Sequence, residues 1–584
     1  MKKWTAFGIV CVLIFMMFTI TASATTTGKV ETASNRMEAS QTLLVNSEIQ
    51  DSVKKYLSDA PVEYANVFNV KSNKFGAAGN GKKNDTAAIQ LALNQAKKSG
   101  GGVVYLPEGT YVVSNNLYIY SGTKVMGARA KITKTNTKAD FAVLVIAAGQ
   151  HNVVVEGLWL NNTQTAGNIS IDIHKNVNNV WIMNNTFTGI HSQAINMNNP
   201  GIEHVQISGN HFEKVSYGLL TNKMAVSIKD IRVINNQFID IYSDAIELNH
   251  PGQANEAEEH FVIAGNYISV PKGLGKSKMA GFGIGIAGAD NITITGNVIE
   301  KTRYEAIHIE GGAKYLNIIG NIIDGVENDP DVNLNSGIYI IDGSFITISG
   351  NNIHHAYNYG IHLEYAVNHN AKNIIISDNT VTESRKGGGI RIAGMSVDSN
   401  LILSQNIVTN NTGDGIQVDG SIRNLKITDN IVNDNSRYGL FFKKSGFGWY
   451  ISGNTLSGNS AGNIGTGEGF ITPVPLRDQS AAITAVLNKA NDNTPCKDVF
   501  SLGTGAEGLL YLTAKQGAAY STKLYRISWD GTLLTHELVS HDHQGTIQAL
   551  DPVMNGKSLQ VQASSGQSGS IEIEAQFEGL IMLK

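Results

Sequence analysis

Residues 207–210 read Ile-Ser-Gly-Asn, and variants of this phrase recur through the middle of the chain. Close copies lie at 263–266, 294–297, 318–321, 348–351 and 451–454, and divergent copies end at Asn185, Asn236, Asn379, Asn406 and Asn430. Successive asparagines are 24 to 31 residues apart. Self-similarity at such a period is typical of a solenoid, in which each repeat stacks on its neighbours and none folds alone.

Two strand patterns can be read in each repeat. The first ends at the asparagine and is followed two positions later by an apolar residue such as Phe187 or Ile299. The second reads small–apolar–x–apolar, as in Ala306-Ile307-His308-Ile309. Alternation with a period of two puts the apolar residues inside and x outside. The pattern predicts a parallel β-helix, with the asparagine as a structural residue whose amide bonds backbone and the next coil.

The first 24 of the 584 residues have the composition of a secretory signal. Lys2 and Lys3 precede an apolar run from Phe7 to Ile20, and Ala22-Ser23-Ala24 is a small-residue cleavage site. Cleavage removes two lysines and no acid, so the net charge changes from −4 to −6. We therefore expect a secreted, extracellular protein with no membrane span after cleavage and no affinity for nucleic acid. Cys496 is then the last cysteine, which excludes an internal disulfide.

Four segments follow the signal. Residues 25–66 are predicted to be a linker with an amphipathic helix near Leu43–Leu57, and residues 67–466 the β-helix, of which 67–113 cap the end. Residues 467–584 alternate apolar runs with turns, which predicts a small antiparallel β-domain. Within it, we interpret His541-Asp542-His543 as a solvated loop rather than a metal site, because no third ligand of matching spacing is visible.

The capping segment also carries a resemblance to a known family. Its residues are the glycines at 76, 79 and 81, Asp85-Thr86, Ala88-Ile89, and Gly101-Gly102 through Leu106-Pro107, Gly109 and Tyr111. This stretch resembles the N-terminal motif of the pectate-lyase-like superfamily. The resemblance implies an all-β, right-handed parallel β-helix with an N-terminal capping helix, like those of pectate lyases, polygalacturonases and phage tailspikes.

Aligning the repeats predicts which side chains share a surface, because equivalent residues on successive coils lie about 4.8 Å apart. The x column reads Asn196, Leu220, Glu247, Gly285, His308, Tyr339, His362, Arg391, Gln417 and Phe441. The next outward column reads Glu310, Ile341, Glu364, Ala393 and Asp419. Asp342 joins it if its strand carries a one-residue bulge.

These residue types favour acid–base chemistry over a plain solvated face, which would be richer in Thr, Ser, Asn and Lys. The predicted catalytic residues are His308, Tyr339, His362, Arg391, Glu310, Glu364 and Asp342. The predicted substrate-binding residues are Asp244, Glu247, Glu305, Tyr359, Asp414, Gln417 and Asp419. His354, His355, Tyr357 and Tyr365 cluster near Tyr359 and are expected either to wall the groove or to pack in a turn.

Two reactions on a bound polysaccharide fit these residues. Hydrolysis needs two carboxylates, for which Glu310, Asp342 and Glu364 are the candidates. β-Elimination needs a cation such as Arg391 and a proton-exchanging residue such as His308 or His362. The resemblance implies similar chemistry, although the aspartate trio typical of polygalacturonases is absent. The alternatives are a non-catalytic, tailspike-like carbohydrate-binding protein and degradation of a wall polymer of the teichoic-acid type. No cofactor is required, calcium is left open, and the oligomeric state is not predicted.

Overall fold

The computed structural model describes most of the chain from residue 66 onward. The described residues are 66–135, 141–161, 169–189, 193–222, 228–249, 260–270, 281–327, 335–365, 372–393, 400–420, 422, 424–444, 449–467, 476–477, 481–487, 495–501, 506–516, 519–529, 534–544, 547–555, 558–565 and 571–579. The predicted signal segment and the helix near Leu43–Leu57 lie outside them.

Each coil of the solenoid contributes three short strands, which stack into three columns of parallel strands. The first-column strands, which lead into the asparagine, are Val67–Asn69, Gly102–Leu106, Thr123–Lys134, His151–Asn161, Asn178–Met183, Ile202–Ser208, Ile228–Ile234, Phe261–Ala264, Asp290–Thr295, Lys314–Ile319, Ser344–Ser349, Ile374–Ser377, Leu401–Ser404, Leu425–Thr428, Tyr450–Ser452 and Leu476–Arg477. Two of them, Thr123–Lys134 and His151–Asn161, run on into the second column.

The second-column strands follow directly after the asparagine. They are Asn80–Asn84, Gly109–Val113, Thr186–Thr188, His211–Glu213, Gln237–Ile239, Tyr267–Ser269, Val298–Glu300, Ile322–Asp324, Asn352–His354, Thr380–Thr382, Ile407–Thr409, Ile431–Asn433 and Thr455–Ser457. Only two strand patterns could be read in each repeat, because a second-column strand usually has only three residues and shows a single inward apolar side chain. The apolar residue after each asparagine, such as Phe187, is that side chain.

The third column forms a separate parallel sheet of 14 described strands, and it holds the predicted x column. Its strands are Leu117–Ile119, Leu144–Ile146, Ile171–Ile173, Gln193–Asn196, Tyr217–Asn222, Ile246–Asn249, Ile284–Ala287, Ile307–Glu310, Ile338–Ile341, Ile361–Glu364, Ile390–Ala393, Ile416–Val418, Tyr438–Phe442 and Gly462–Thr466. The all-β solenoid that the repeats predicted is thereby confirmed.

One helix is described, α1, which spans Thr86–Lys98. Its buried face includes Ile89, Leu93 and Ala96. The side chain of Asp85, which precedes the helix, makes no capping hydrogen bond. The buried Asp85 carboxylate instead accepts hydrogen bonds from the N–H groups of Ala78 and Gly79, because the glycine-rich loop folds back over it.

A ladder of buried asparagines runs along the corner between the first and second columns. Asn297 shows the pattern: its backbone N–H and its Nδ2 both donate to Oδ1 of Asn321, at 3.0 and 2.9 Å. Its Nδ2 also donates to the Ile263 carbonyl at 2.9 Å. Its Oδ1 accepts from the N–H and the Nδ2 of Asn266. Every polar atom of the side chain is satisfied, which confirms the structural role predicted for the phrase.

A second ladder, which the sequence did not reveal, lies at the end of the second column. The N–H of Ser384 donates to Oδ1 of Asn411, and the pattern continues through Asn435 to Asn459. Beside the first ladder, the rings of Phe187, Phe212 and Phe238 stack with centroids 4.6 and 4.5 Å apart. Polar ladders at the corners and apolar stacks inside thus hold adjacent coils together.

The chain beyond the last coil forms two antiparallel sheets. Five strands pair in the order Ala481–Leu487, Ile571–Gly579, Ala506–Gln516, Ala519–Trp529 and Leu534–Gln544. Three more pair in the order Pro495–Ser501, Ser558–Ser565 and Ile547–Asn555. Leu476–Arg477 pairs in parallel with Tyr450–Ser452, so the coil pattern extends past residue 466. His541-Asp542-His543 lies in a paired strand and not in the loop that we expected. No described helix is long and apolar enough to cross a membrane.

We predict that Asn297→Ala destabilises the β-helix by about 3 kcal/mol or more, since it leaves the buried N–H of Asn266 and the carbonyl of Ile263 without partners. The matched control is Asn317→Ala, because Asn317 lies exposed in the first-column strand Lys314–Ile319 and is not part of the ladder. The measurement is urea unfolding followed by circular dichroism. Equal losses for the two variants would contradict the role assigned to the ladder.

Candidate functional site

The third-column sheet has the register that the repeat alignment predicted. His308 pairs with Tyr339, Tyr339 with His362, and His362 with Arg391. The remaining x residues follow in the same order, from Asn196, Leu220, Glu247 and Gly285 before His308 to Gln417 and Phe441 after Arg391. We call His308, Tyr339, His362 and Arg391 the central column. Because the strands are parallel and unbroken there, four side chains from four coils stand in one line.

The central column points away from the apolar core, but its side chains are not solvated. His308 is 8% exposed, Tyr339 2% and His362 1%. Neighbouring rings account for much of this burial: Tyr339 lies between the two histidines, with ring centroids 5.6 and 4.8 Å away. Burial in a polar column strengthens every charge interaction within it.

His308 stands between two carboxylates. Its Nδ1 lies 3.6 Å from Oε2 of Glu305, and its Nε2 lies 3.5 Å from Oε2 of Glu310. Burial lowers the pKa of His308, but the two carboxylates outweigh it and raise this pKa to about 9. His308 is therefore an imidazolium at neutral pH, and the pKa of Glu310 is lowered in return. Phe282 stacks on the imidazole at 4.4 Å between ring centroids.

His362, two coils further, has the opposite protonation state. Burial, with a smaller contribution from the positive charge of Arg391, lowers its pKa to about 3. Its imidazole is neutral at physiological pH, and neither ring nitrogen has a hydrogen-bond partner among the described residues. The 3.8 Å separation between its Nε2 and Glu364 is consequently not an ion pair at neutral pH. A buried neutral imidazole without a partner is an unusual arrangement that favours a functional role.

The tyrosine and the arginine of the column are each held by an acid of the next outward column. Tyr339 donates its hydroxyl proton to Oε2 of Glu364 at 2.7 Å, and burial together with this bond raises the pKa of the phenol. Arg391 donates from Nε and Nη2 to Oδ2 of Asp419, at 2.9 and 2.8 Å. The Nε2 of Gln417 orients the same carboxylate by donating to its Oδ1 at 2.7 Å.

Three predicted substrate-binding acids, Asp244, Glu305 and Asp414, are almost completely buried. Each lies two positions before the first residue of its strand and supports the outer residues. Two backbone N–H groups donate to Asp244, whereas its burial beside Glu247 raises the pKa of both carboxyl groups. Burial also raises the pKa of Asp414. Asp244 and Asp414 accept hydrogen bonds from backbone N–H groups of the next coil, which gives their carboxyl groups a structural role.

Tyr359 is the one member of the predicted aromatic wall that the structure places against the central column. Its ring lies 5.1 Å from His362, and the Arg391 guanidinium lies 5.2 Å from its centroid. The other four do not wall the groove and instead pack elsewhere on the coils, because the chain turns between columns. His354 pairs with Thr382, and His355 pairs with Asp324 and Glu383. Tyr357 contacts Lys386, and Tyr365 is buried.

The prediction that Asp342 joins the outer column through a bulge was also wrong. Ile341 pairs directly with Glu364 without a shift in register, so Asp342 falls in the turn that follows, with φ 59°.

Two other residues near the central column were missed by sequence reasoning. Phe282 aligns with Asp244 and Glu305, which would have revealed its place in the column. Gly285 leaves space between Glu247 and His308, since a Cβ there would meet only Phe282, at 3.4 Å.

Among the described residues, no group of three or more His, Cys, Asp or Glu side chains is placed to hold a metal ion. The calcium site left open on Glu310, Asp342 and Glu364 therefore has no geometric support in that part of the chain. His308 and Tyr339 are the partners of Glu310 and Glu364 instead.

Comparison with known families agrees with this architecture. Residues 67–277 match the family model described as rhamnogalacturonase A/epimerase, pectate lyase-like. Residues 227–398 and 331–472 match the right-handed β-helix region. The resemblance to the pectate-lyase-like superfamily is thereby confirmed, and the solenoid is a right-handed β-helix of that kind.

Individual relatives match over short segments. Alginate lyase 7 of Azotobacter vinelandii is 42% identical over 89 residues, which are 15% of this chain and 9% of that protein. Mannuronan C5-epimerase AlgE3 of the same organism is 48% identical over 68 residues, which are 10% of this chain and 4% of that protein. The matched segments are thus a small part of either relative.

Solved structures share the fold at low similarity. The A-module of mannuronan C-5 epimerase AlgE4 from Azotobacter vinelandii is 18% identical, with a TM-score of 0.35 over 70% of this chain and 99% of that module. The adhesin PfbA of Streptococcus pneumoniae is 18% identical, with a TM-score of 0.44 over 61% of this chain and 93% of that chain. Overlays this loose do not bear on the site.

The opposite protonation of the two histidines can be measured directly. We predict that the imidazole Hε1 signal of His308 titrates near pH 9 and that the signal of His362 stays in its neutral position down to about pH 4. The measurement is a carbon–proton correlation spectrum recorded across the pH range, assigned with His308→Gln and His362→Gln. Two ordinary titrations near pH 6.5 would contradict the electrostatics derived for the column.

Stability should depend on pH through His308. Because its folded-state pKa of about 9 exceeds its unfolded value of 6.5, the stabilisation is complete below pH 6.5 and is lost as the pH rises through 9. The difference in unfolding free energy between wild type and His308→Gln should shrink over that range, by at most about 1.4 kcal/mol per pH unit. Urea unfolding at pH 6, 7.5 and 9 measures it, and a constant difference would argue against an imidazolium.

Proposed function

We propose that this chain cleaves an acidic polysaccharide by β-elimination, with the central column as its active site. The observation that carries the proposal is the order of charges along the column. A cation stands at each end, His308 and Arg391, and two neutral proton-exchanging groups, Tyr339 and His362, stand between them. Three strand spacings separate the cations, roughly 14 Å, so they suit negative charges on different units of one chain.

The guanidinium of Arg391 is placed to bind a uronate carboxylate next to His362. A carboxylate there balances the positive charge that now depresses the pKa of His362. The neutral imidazole can then accept the proton alpha to that carboxylate, while Arg391 stabilises the enolate that develops. Substrate binding thus makes His362 a better base at the moment when it is needed.

Tyr339 is the natural acid for the same reaction. Its raised pKa keeps the phenol protonated, and its hydroxyl lies one coil from His362. As electrons move from the C–H bond into a new carbon–carbon double bond, the glycosidic C–O bond breaks and the leaving oxygen takes the phenol proton. His362 ends the step with one proton more and Tyr339 with one fewer. Proton exchange with solvent, in which Glu364 is the hydrogen-bonding partner of the phenol, restores both.

Hydrolysis is the second candidate, supported by a specific observation. Asp244 and Asp414 are buried carboxyl groups whose pKa values are raised, as a general acid requires. Both carboxyl groups are already engaged by backbone N–H groups of the next coil, which is the reason for ranking hydrolysis lower. The two reactions differ in product, since elimination alone yields an unsaturated sugar.

The test uses purified protein with alginate, mannuronan, polygalacturonate and a neutral β-glucan. Alginate and mannuronan appear in the names of the relatives above. New reducing ends together with ultraviolet absorbance indicate elimination, and reducing ends alone indicate hydrolysis. Binding without either product would contradict the enzymatic proposal and favour a tailspike-like binding protein. A panel that adds teichoic acid tests the wall-polymer alternative by the release of phosphodiester fragments.

Substitutions then locate the chemistry. We predict that His362→Gln and Arg391→Gln each lower kcat/KM by 100-fold or more, since each removes a group that acts in the transition state. Ile431→Thr is the matched control, because Ile431 lies exposed on the second column, away from the third-column sheet. Wild-type rates in both glutamine variants, with cleavage intact, would place the active site elsewhere.

A further inference from the structure

Two exposed aromatic rings lie just beyond the third-column sheet, on the same coils as His308 and Tyr339. Tyr315 and Phe345 are the second residues of consecutive first-column strands, just after the turn that leaves the third column. Their rings stack at 4.9 Å between centroids with an interplanar angle of 22°. Tyr315 is 51% exposed and Phe345 41%. Large rings at such exposure contribute little to the core, so packing does not explain their presence.

The backbone at these positions makes the aromatic residues still less expected. Equivalent residues on the other coils are Asn152, Asn179, His204, Asp230, His260, Asn291, Asn373, Asn400 and Asn424. Almost all of this column is left-handed, and Tyr315 and Phe345 have φ values of 57° and 56°. Asparagine and aspartate tolerate that conformation, whereas bulky side chains are disfavoured in it.

Elsewhere along this column the asparagines form their own hydrogen-bonded ladder. Nδ2 of Asn179 donates to Asn152, Nδ2 of Asn400 donates to Asn373, and Nδ2 of Asn424 donates to Asn400. Tyr315 and Phe345 lie between the two bonded stretches of this column, as do His204, Asp230 and His260. What distinguishes the coils of His308 and Tyr339 is a pair of stacked, exposed rings on a backbone that disfavours bulky side chains, which indicates a role at the surface rather than in the fold.

The size and surroundings of the ring pair fit a sugar better than a protein. Two rings are far smaller than the roughly 800 Å² per partner of a stable protein interface. Exposed polar residues border the pair, including Asn317, Lys372 and Asn373. An aromatic face provides apolar contact for the C–H groups of a pyranose, and polar neighbours satisfy its hydroxyl groups.

We propose that Tyr315 and Phe345 form a carbohydrate-binding platform that holds a pyranose ring of the polysaccharide beside the central column. The inference rests on the proposed function, because it assumes that the chain engages a glycan. Exposed Glu310 and Gly311–Gly312 lie between His308 and Tyr315 on one coil, so a short turn connects the central column to the platform. The platform adds affinity for long chains, which reach both places, and none for short oligosaccharides that fill only the column.

The test replaces both rings by the residue that the neighbouring coils use. Tyr315→Asn/Phe345→Asn suits the left-handed backbone, so its melting temperature should equal or exceed that of the wild type. The matched control is Ile407→Thr/Ile431→Thr, which removes a similarly exposed apolar pair from the second column, where Thr380 and Thr455 are the neighbours. Affinity electrophoresis in gels containing alginate, polygalacturonate or a neutral β-glucan measures binding.

We expect the asparagine variant to bind the retained polysaccharide about tenfold more weakly than the wild type, a typical effect of losing a stacked aromatic pair. The threonine control should bind like the wild type. On a trisaccharide of the same glycan, the rates of wild type and asparagine variant should agree. Unchanged polymer binding in the asparagine variant would overturn the platform, as would a dimer of the wild type that this variant alone dissociates.

The two proposals fail in different ways. Binding that depends on Tyr315 and Phe345 without any cleavage supports the platform and overturns the enzymatic proposal. If His362→Gln abolishes cleavage and the asparagine variant binds the polymer like the wild type, the enzymatic proposal is supported and the platform is overturned. Failure of the wild type to bind any of the three glycans would overturn the platform and leave the column without a substrate among them.

Discussion

The hydrogen bond between one asparagine amide and the next is the constraint on which the rest of this protein depends. Each amide in the ladder is buried, bonds the coils on both sides and leaves no polar atom unsatisfied. A shift of the register by one residue at this corner would leave several buried polar groups without hydrogen-bond partners. The loss of free energy would be far larger than that of bending a loop. The ladder thereby fixes the register of each coil, and the register in turn places His308, Tyr339, His362 and Arg391 in line although 83 residues separate the first from the last.

Within that line, the same backbone geometry yields two histidines of opposite character. Both are buried, and burial alone would make both neutral. The difference comes from the residues three positions before and two positions after each histidine. His308 has Glu305 and Glu310 there, whereas His362 has Tyr359 and a Glu364 whose oxygen accepts the Tyr339 hydroxyl. Substitutions at the support positions, rather than at the histidines, are thus enough to retune a column of this kind.

How well the sequence predicted these features depends on whether they rest on local patterns or on contacts between distant parts of the chain. Register was predictable because strand spacing and side-chain alternation are local and repeat on every coil, so the whole x column was correct. The burial of His308 and His362 was not predictable, because it depends on aromatic rings of neighbouring coils and on rings that lie just before the strands. The second-column strands escaped notice because three residues show no periodicity. Asp342 was misplaced because nothing local distinguishes a bulge from a turn.

The asparagine ladder also has a mechanical consequence. Among the described strands of the solenoid, each coil pairs only with the coil before it and the coil after it, so none of these pairings spans its length. A force applied to one end would therefore load one rung at a time, and the protein would peel coil by coil instead of rupturing as a unit. Each step would release the 24 to 31 residues between successive asparagines. A β-helix of this kind tethered by one end to a surface would yield gradually under shear, and its remaining coils would stay in register.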